Sequence, residues 1–560
     1  MAAIKQQPKK LLFVILGIII LNILGNYFYK RFDLTQDNRF TLSTAAKSTI
    51  ATLETPIFIE VFLEGDFPSE FKRLQAETKH LLEEFEAFNP NIKYQFINPS
   101  DTEGDAEALF KFGAKPAQVE VKENGKVSTQ QIFPWAIATY NGRPIKIPLL
   151  KNQLGITSEE RVQNSIQNLE YAFADGFNKL VHPKKRKVAV IKGNGELEDK
   201  YVVDFFTTLR DYYYIAPFTL DSAAISPVKT LEQIKEFDLI VIANPTESFT
   251  ENEKYILDQY TMSGGSSLWL IDAVELKKDS VSGNDFGFGK ELNLTDFFFK
   301  YGIRVNPNLV KDIYSAPILL ASGSERESQY NRYPWFYSPL SSSANNHPIV
   351  TNIEAVKFEY VSSIDTLPNS LKKTVLLSSS PISKIVGMPV EIDISKEITK
   401  NLKIVNEGPS EQEYNAREIP LSILLEGTFP SAYSNRIKPF KIANDLSNSE
   451  PTKMVIISDG SIIVNQFQGN RPLELGFDKW TNAFYGNKEF LLNTVNYLLD
   501  DSGLINIRSK EISVPFLDPQ KVAEQRIVWQ LVNILLPLVL LAVFGLGFTY
   551  LRKQKYTKFC

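Results

Sequence analysis

Few residues in this chain are of a type and spacing that could do chemistry. Three histidines, His80, His182 and His347, lie far apart, and the single cysteine is Cys560. An intrachain disulfide and a cysteine-based zinc site are therefore excluded, and no H-E-x-x-H or other close histidine pair offers a metal position. The best-placed acid is Asp459. Ser458-Asp459-Gly460-Ser461 follows the apolar run KMVII, and open α/β sheets hold ligands just beyond the carboxyl ends of their strands. Two uses are open to Asp459: contact with a metal or small ligand on that ligand-side loop, or closure of an Asx-type turn, the commoner role of such a residue.

The glycine-rich stretches fail the tests for phosphate binding. A nucleotide P-loop needs G-x-x-x-x-G-K-[ST], because the lysine and the hydroxyl contact phosphate and magnesium; GFGKE, ending at Lys290-Glu291, lacks the hydroxyl. GNGELED, Gly193 to Asp199, has the position of a dinucleotide fingerprint but carries Glu198 where the third glycine belongs. TMSGGSSLWLID, Thr261 to Asp272, has the wrong order. Phosphate loops leave a strand and enter a helix whose N-terminus supplies donors, whereas here a helix runs into Gly264-Gly265 and a strand follows. These glycines predict a left-handed helix cap and turn. No G-x-S-x-G elbow occurs. No catalytic residue, cofactor or metal is expected, and any ATP hydrolysis must come from a partner.

Two uncharged apolar stretches, Leu11 to Tyr29 and Val528 to Leu551, are long enough to cross a bilayer as helices. Asn26-Tyr27-Phe28-Tyr29 and Lys30-Arg31 do not make a small-residue cleavage site, so the first stretch predicts an uncleaved anchor. Lys5, Lys9 and Lys10 precede it, and Arg552, Lys553, Lys555 and Lys558 follow the second. Positive-inside bias then places the tails 1–10 and 552–560 in the cytoplasm, against the smaller pull of Lys30 and Arg31. The expectation is an inner-membrane protein with two spans, both termini cytoplasmic, and a large periplasmic body. Nine of the 61 basic residues lie in residues 1–31 and 552–560, which hold none of the 65 acidic ones, leaving 52 basic against 65 acidic between. Nucleic acid is an unsuitable partner for that balance.

Both spans carry amides at helical spacing. Asn22 and Asn26 are four apart in the first; Gln530 and Asn533 are three apart in the second, where Pro537 adds a kink. Such groups either hydrogen-bond to the spans of a membrane partner or sit near lipid headgroups.

The body between the spans reads as α/β. In residues 30–180, PIFIEVFLEG is a strand, Ser69 is placed to cap a helix with Phe71, Leu74, Leu81, Leu82 and Phe85 on one stripe, and IKYQFINP is a second strand. That order implies a parallel crossover. Strands up to Leu149 and a helix opened by a Thr157–Glu160 capping box complete the domain, whose outline resembles a thioredoxin-type fold without its cysteine pair. VHPKKRK, 181–187, is a hinge. Residues 188–505 form a second α/β domain with apolar strands at KVAVI, DLIVIANP, LWLI and KMVII and a helix in GNKEFLLNTVNYLLDDSG. Residues 292–442, richer in Ser, Asn and Pro, predict a β-rich lobe inserted in it, and 506–527 link it to the second span.

In this sum, LIVIANPTESFTENEKYILDQYTMSGGSSLWLID and MVIISDGSIIVNQF followed by YGNKEFLLNTVNYLLDD are the most distinctive parts. The chain resembles, over essentially its whole length, the GldG family of gliding-motility ABC transporter auxiliary proteins of Bacteroidetes. The resemblance implies an amidotransferase-like, flavodoxin-like second domain without the cysteine nucleophile. It further implies a complex with a cytoplasmic ABC ATPase and a polytopic membrane permease; docking of the two spans adds a second copy of the chain and membrane lipid to the expected contacts. The role it implies is a non-catalytic one in gliding and associated secretion. Two readings stand beside it: an envelope enzyme of amidase or esterase type, and a solute-binding protein delivering a small ligand.

Overall fold

Alternating apolar residues followed by a capped amphipathic helix recur along the chain, and each recurrence becomes a strand and the helix that covers it. The computed structural model describes residues 13, 15–20 and 41–557, except 66, 100–104, 124–125, 152–155, 282, 323–328, 343–344, 501–502 and 511–518. The chain divides into two compact units, Met1–Glu511 and Ile512–Cys560.

The first unit begins with helix α1 (Thr44–Ile50), capped by the Ser43 hydroxyl, which accepts from Ala46 N at 3.1 Å. Strand β1 (Ile57–Val61), helix α2 (Ser69–Phe88) and strand β2 (Ile92–Phe96) form the expected crossover, with β1 and β2 parallel. Ser69 does not cap α2. It is the first helical residue, Pro68 occupies the cap position, and the Ser69 hydroxyl turns to Glu70. Strands β3 (Trp135–Tyr140) and β4 (Arg143–Pro148) add antiparallel neighbours, giving the order β2-β1-β3-β4. Helix α3 (Ser158–Val181) covers this sheet through Val162, Ile166, Leu169, Phe173 and Phe177, and Phe177 meets Phe85 of α2 edge-on at 5.2 Å. Its capping box is reciprocal: Thr157 Oγ1 accepts from Glu160 N at 3.2 Å while Glu160 Oε2 accepts from Thr157 N at 2.9 Å.

The second sheet is built from β5 (Lys187–Lys192), α4 (Asp199–Leu209), β6 (Tyr214–Thr219), α5 (Pro227–Ile234), β7 (Leu239–Ala243), α6 (Glu251–Met262), β8 (Ser266–Leu270), β9 (Lys372–Ser378), β10 (Pro420–Gly427), β11 (Thr452–Ile457) and α7 (Asn487–Leu499). Its order is β9-β10-β11-β8-β7-β5-β6, and the five strands from β11 to β6 are parallel. Every residue of β7 and β8 is buried, as expected of strands covered on both faces. Odd and even positions face different cores. Val241, Leu268 and Val455 pack under Phe205 of α4 and Phe490, Leu491 and Val495 of α7. Ile240, Ile242, Trp269 and Ile456 pack under Ile256, Leu257 and Tyr260 of α6.

The helix-to-strand turn after α6 shows why two glycines stand there. Gly264 has a φ of +89°, a left-handed conformation that costs other residues energy. A Cβ on Gly265 would lie 2.3 Å from the Tyr260 ring.

The stretch 292–442 is not one lobe. LSILLEG belongs to β10 and enters the central sheet beside β11, and β9 follows it at the edge. The rest includes small antiparallel pairings, among them Asn308–Asp312 with Ser383–Gly387, and Ser315–Ser322 with Gln329–Ser341. The helix Ile394–Glu407 packs there with two polar residues inward. Glu397 and Asn401 are buried while Ile394, Leu402 and Val405 are exposed. Two partners explain this: the ammonium of the buried Lys311 pairs with Glu397, and Asn401 Nδ2 donates to the Pro334 carbonyl at 3.0 Å. Buried polar groups are tolerated when so satisfied.

The second unit contains helix α8 (Pro519–Thr557). Its segment Glu524–Gln554, 31 residues, is long and apolar enough to cross a membrane, the one such helix among the described residues. The expected first span lies largely outside them, with residues 13 and 15–20 helical.

Candidate functional site

The five parallel strands run in the order 2-1-3-4-5 when numbered along the chain, so the topological switch lies between β5 and β7, where open sheets of this kind take ligands. Here that crevice is closed by the chain itself. The Asn194 carbonyl accepts from Thr246 N and Glu247 N, both at 2.9 Å. Its side-chain Nδ2 donates to Glu253 Oε2 at 3.1 Å. A Cβ on Gly195 would lie 2.1 Å from Thr246 Oγ1, so glycine lets the two loops meet.

One step along the same edge, three adjacent strands each end in an amide or an acid. Asn244 follows β7, Asp272 follows Ile271 after β8, and Asp459 follows Ser458 after β11. The register brings them together: Asn244 N donates to Leu270 O at 2.9 Å and Ile271 N to Ile457 O at 2.9 Å. Gly460 N then donates to Asp272 Oδ1 at 2.6 Å. A side chain on Gly460 would collide with Asn244, whose atoms lie 2.4 Å from the position of its Cβ.

Asp459 has no solvent exposure. Its Oδ1 accepts from Ser461 N and Ser461 Oγ, each at 2.7 Å, and its Oδ2 from Glu359 N at 2.7 Å. The bond to the N–H two residues on is an Asx turn. Burial, reinforced by the like charge of Asp272, pushes the Asp459 carboxyl up to about 8. Asp272 is raised as well, by burial, with the Gly460 N–H and the nearby Lys290 ammonium pulling the other way. Lys290 donates to Asn244 Oδ1 at 3.3 Å, and burial lowers its own value. At neutral pH the Asp459 carboxyl therefore keeps its proton, since burial and a like charge nearby both disfavour its ionised form. Ser458 offers no nucleophile: its buried hydroxyl is committed to the carbonyls of Ser362 and Leu421. Among the described residues no group of three His, Cys, Asp or Glu side chains could hold a metal ion.

Of these residues the sequence singled out Asp459 alone. Asn244 and Asp272 were visible in a shared signal, an apolar run ending directly in Asn or Asp, as in LIVIAN and LWLID. Lys290 carried no such signal, because its return beside Asp272 is set by the pairing of the hairpin Val274–Lys278 with Asp285–Gly289.

The other expected positions divide between described and undescribed residues. Asn22 and Asn26 lie outside the described residues. Gln530, Asn533 and Pro537 are on α8 at spacings of three and four, which places them on one helical face. Pro537 has no N–H to give the Asn533 carbonyl, so that face bears two side-chain amides and a carbonyl without its helical donor.

Residues 185–494 match the model of a family described as an ABC-type uncharacterized transport system. Residues 36–139 match a domain of unknown function, DUF7088. An uncharacterized protein of Borreliella burgdorferi is 21% identical over 547 residues, covering 97% of this chain and 96% of its own length. Among solved structures, the mmIFT52 N-terminal domain is similar at 14% identity, covering 56% of this chain and 98% of that one with a TM-score of 0.32.

Proposed function

The chain belongs to the ABC-type uncharacterized transport system family, and from that premise we propose that it is a non-catalytic auxiliary subunit anchored in the inner membrane. In this reading both termini are cytoplasmic and the body is periplasmic, where it binds substrate or envelope proteins. Its helices dock on a polytopic permease served by a separate ABC ATPase, and surface gliding, the process suggested by the sequence resemblance, is where the complex works.

The observation that carries the reading is the family match over more than half the chain, joined to a terminal apolar helix with a polar face at Gln530, Asn533 and Pro537. Amides against lipid are costly and are commonly satisfied across a helix interface. The closed crevice at Asn194 favours this subunit role over a solute-binding one.

Purification from membranes tests it. The ATPase and permease should be retained by the native chain and lost when Asn533 and its neighbours in α8 are replaced by leucine. Retention by the all-leucine helix would refute specific docking. Cys560, the only cysteine, reports topology: an impermeant maleimide should leave it unlabelled in spheroplasts until the membrane is opened.

A further inference from the structure

Glu170, on α3, is a buried acid whose two oxygens are claimed by opposite ends of the body. Ser43 N donates to Oε1 at 2.6 Å, and Lys510 Nζ donates to Oε2 at 2.9 Å. Lys510 Nζ also donates to the Thr41 carbonyl at 2.8 Å, which closes the triangle. Residues 41–43 are where the described body begins after the apolar stretch ending at Tyr29, and Lys510 stands just before the segment that leads to α8.

Neighbouring contacts carry the same pattern. Arg508, with its side chain 2% exposed, donates to Asn168 Oδ1 at 3.2 Å and lies over the Tyr171 ring at 5.0 Å. It also donates to the Thr351 carbonyl at 3.0 Å and to Glu489 at 2.7 Å. The run 508–510 thus grips Asn168, Glu170 and Tyr171 on one helix, while α1 packs on that helix through Ala46, Thr49 and Ile50. The same α3 covers the first sheet, and Gly176 lies so close to Ile147 that a Cβ would come within 2.8 Å.

We propose that Glu170 is a clamp that fixes the two tether-proximal ends of the body side by side on α3, so that a relative displacement of the membrane tethers is delivered to that helix. This rests on the reading of the chain as anchored at both ends. The physical reason is the accounting of lone pairs and charge. A carboxylate that is 5% exposed is strongly penalised when a partner is removed. Neither chain end alone serves both oxygens, so each end is held more tightly when the other is in place. That mutual dependence is a coupling between the two ends.

The test uses the full chain in lipid vesicles, with Cys560→Ser and spin labels on cysteines replacing the exposed Ser48 and Ser509. Double electron–electron resonance should give one narrow distance in the parent. Glu170→Ala should lose it in favour of a broad distribution, and Lys510→Met, which keeps the aliphatic stem, should broaden it to a smaller extent. If Glu170→Ala does not fold, Lys510→Met decides. An unchanged narrow distance in Lys510→Met, or in folded Glu170→Ala, overturns the clamp and leaves the transporter-subunit reading intact. Absence of an ATPase and permease on purification would remove that reading and leave the distance result standing.

Discussion

Two buried acid clusters in the body face opposite consequences of burial. At the carboxyl edge of the central sheet, burial raises both Asp459 and Asp272, and the charge of Lys290 offsets part of this at Asp272. At the junction of α3, α7 and residues 504–510, Glu489 is flanked by Lys151 at 2.9 Å and Arg508 at 2.7 Å. Burial opposes its charge too, but the two cations hold it below the usual carboxylate range. Lys151 is lowered to about 8 by burial and by the like charge of Arg508, against the pull of Glu489. The same desolvation thus favours a protonated Asp459 in one cluster and is outweighed at Glu489 by two flanking cations in the other.

The pH dependence separates them. Asp459 has a folded value above its unfolded one, so the native state binds the extra proton and stability falls as pH rises from near 4 to about 8. Glu489 has a lowered folded value, so its contribution is present above the unfolded value and is lost as pH falls through the folded one.

The largest effect is expected at the triad. Glu489→Gln leaves two cations facing a neutral amide and should cost about 2–3 kcal/mol in urea unfolding at pH 7. This is less than a wholly buried pair would lose, because the Glu489 side chain keeps 29% exposure. A loss no greater than that of a surface substitution would dissolve the distinction between the clusters. Asp272→Asn keeps an acceptor for Gly460 N and removes the opposing charge, so the decline in stability between pH 4 and 8 should flatten, with a gain on the order of 1 kcal/mol at pH 8. An unaltered slope would mean that Asp272 does not set the protonation of Asp459. The smallest change is Ser461→Ala, which deletes one of two donors to Asp459 Oδ1 and should raise the carboxyl further, at a cost of about 0.5–1 kcal/mol at pH 7. Carbon-13 titration of the Asp459 carboxyl reads this directly, and a downward movement would contradict the account.

Legibility in the sequence followed the physics of each element. The Thr157 capping box is local, needing only residues three apart, and it occurs as expected. The runs LIVIA and SSLWL contain no polar side chain that a doubly covered strand must reject beyond its first serines, and they are wholly buried. The inward position of Glu397 on the helix Ile394–Glu407 was illegible because it is set by Lys311, whose identity as its partner is a matter of tertiary approach. The composition around LSILLEG predicts the lobe, and its neighbour β11, not its own sequence, places it in the central sheet.

By itself the amino-acid order determined the α/β character, the glycine turn after α6, the lack of cysteine chemistry within the body, and the apolar terminal helix. Each depends on residues close together in the chain or on composition. The tertiary structure alone decided which acids are buried side by side, which acquire cations, and that Glu170 joins the two ends of the body. Those outcomes depend on distances between groups far apart in sequence, and electrostatic energy is governed by such distances and by the water excluded between them.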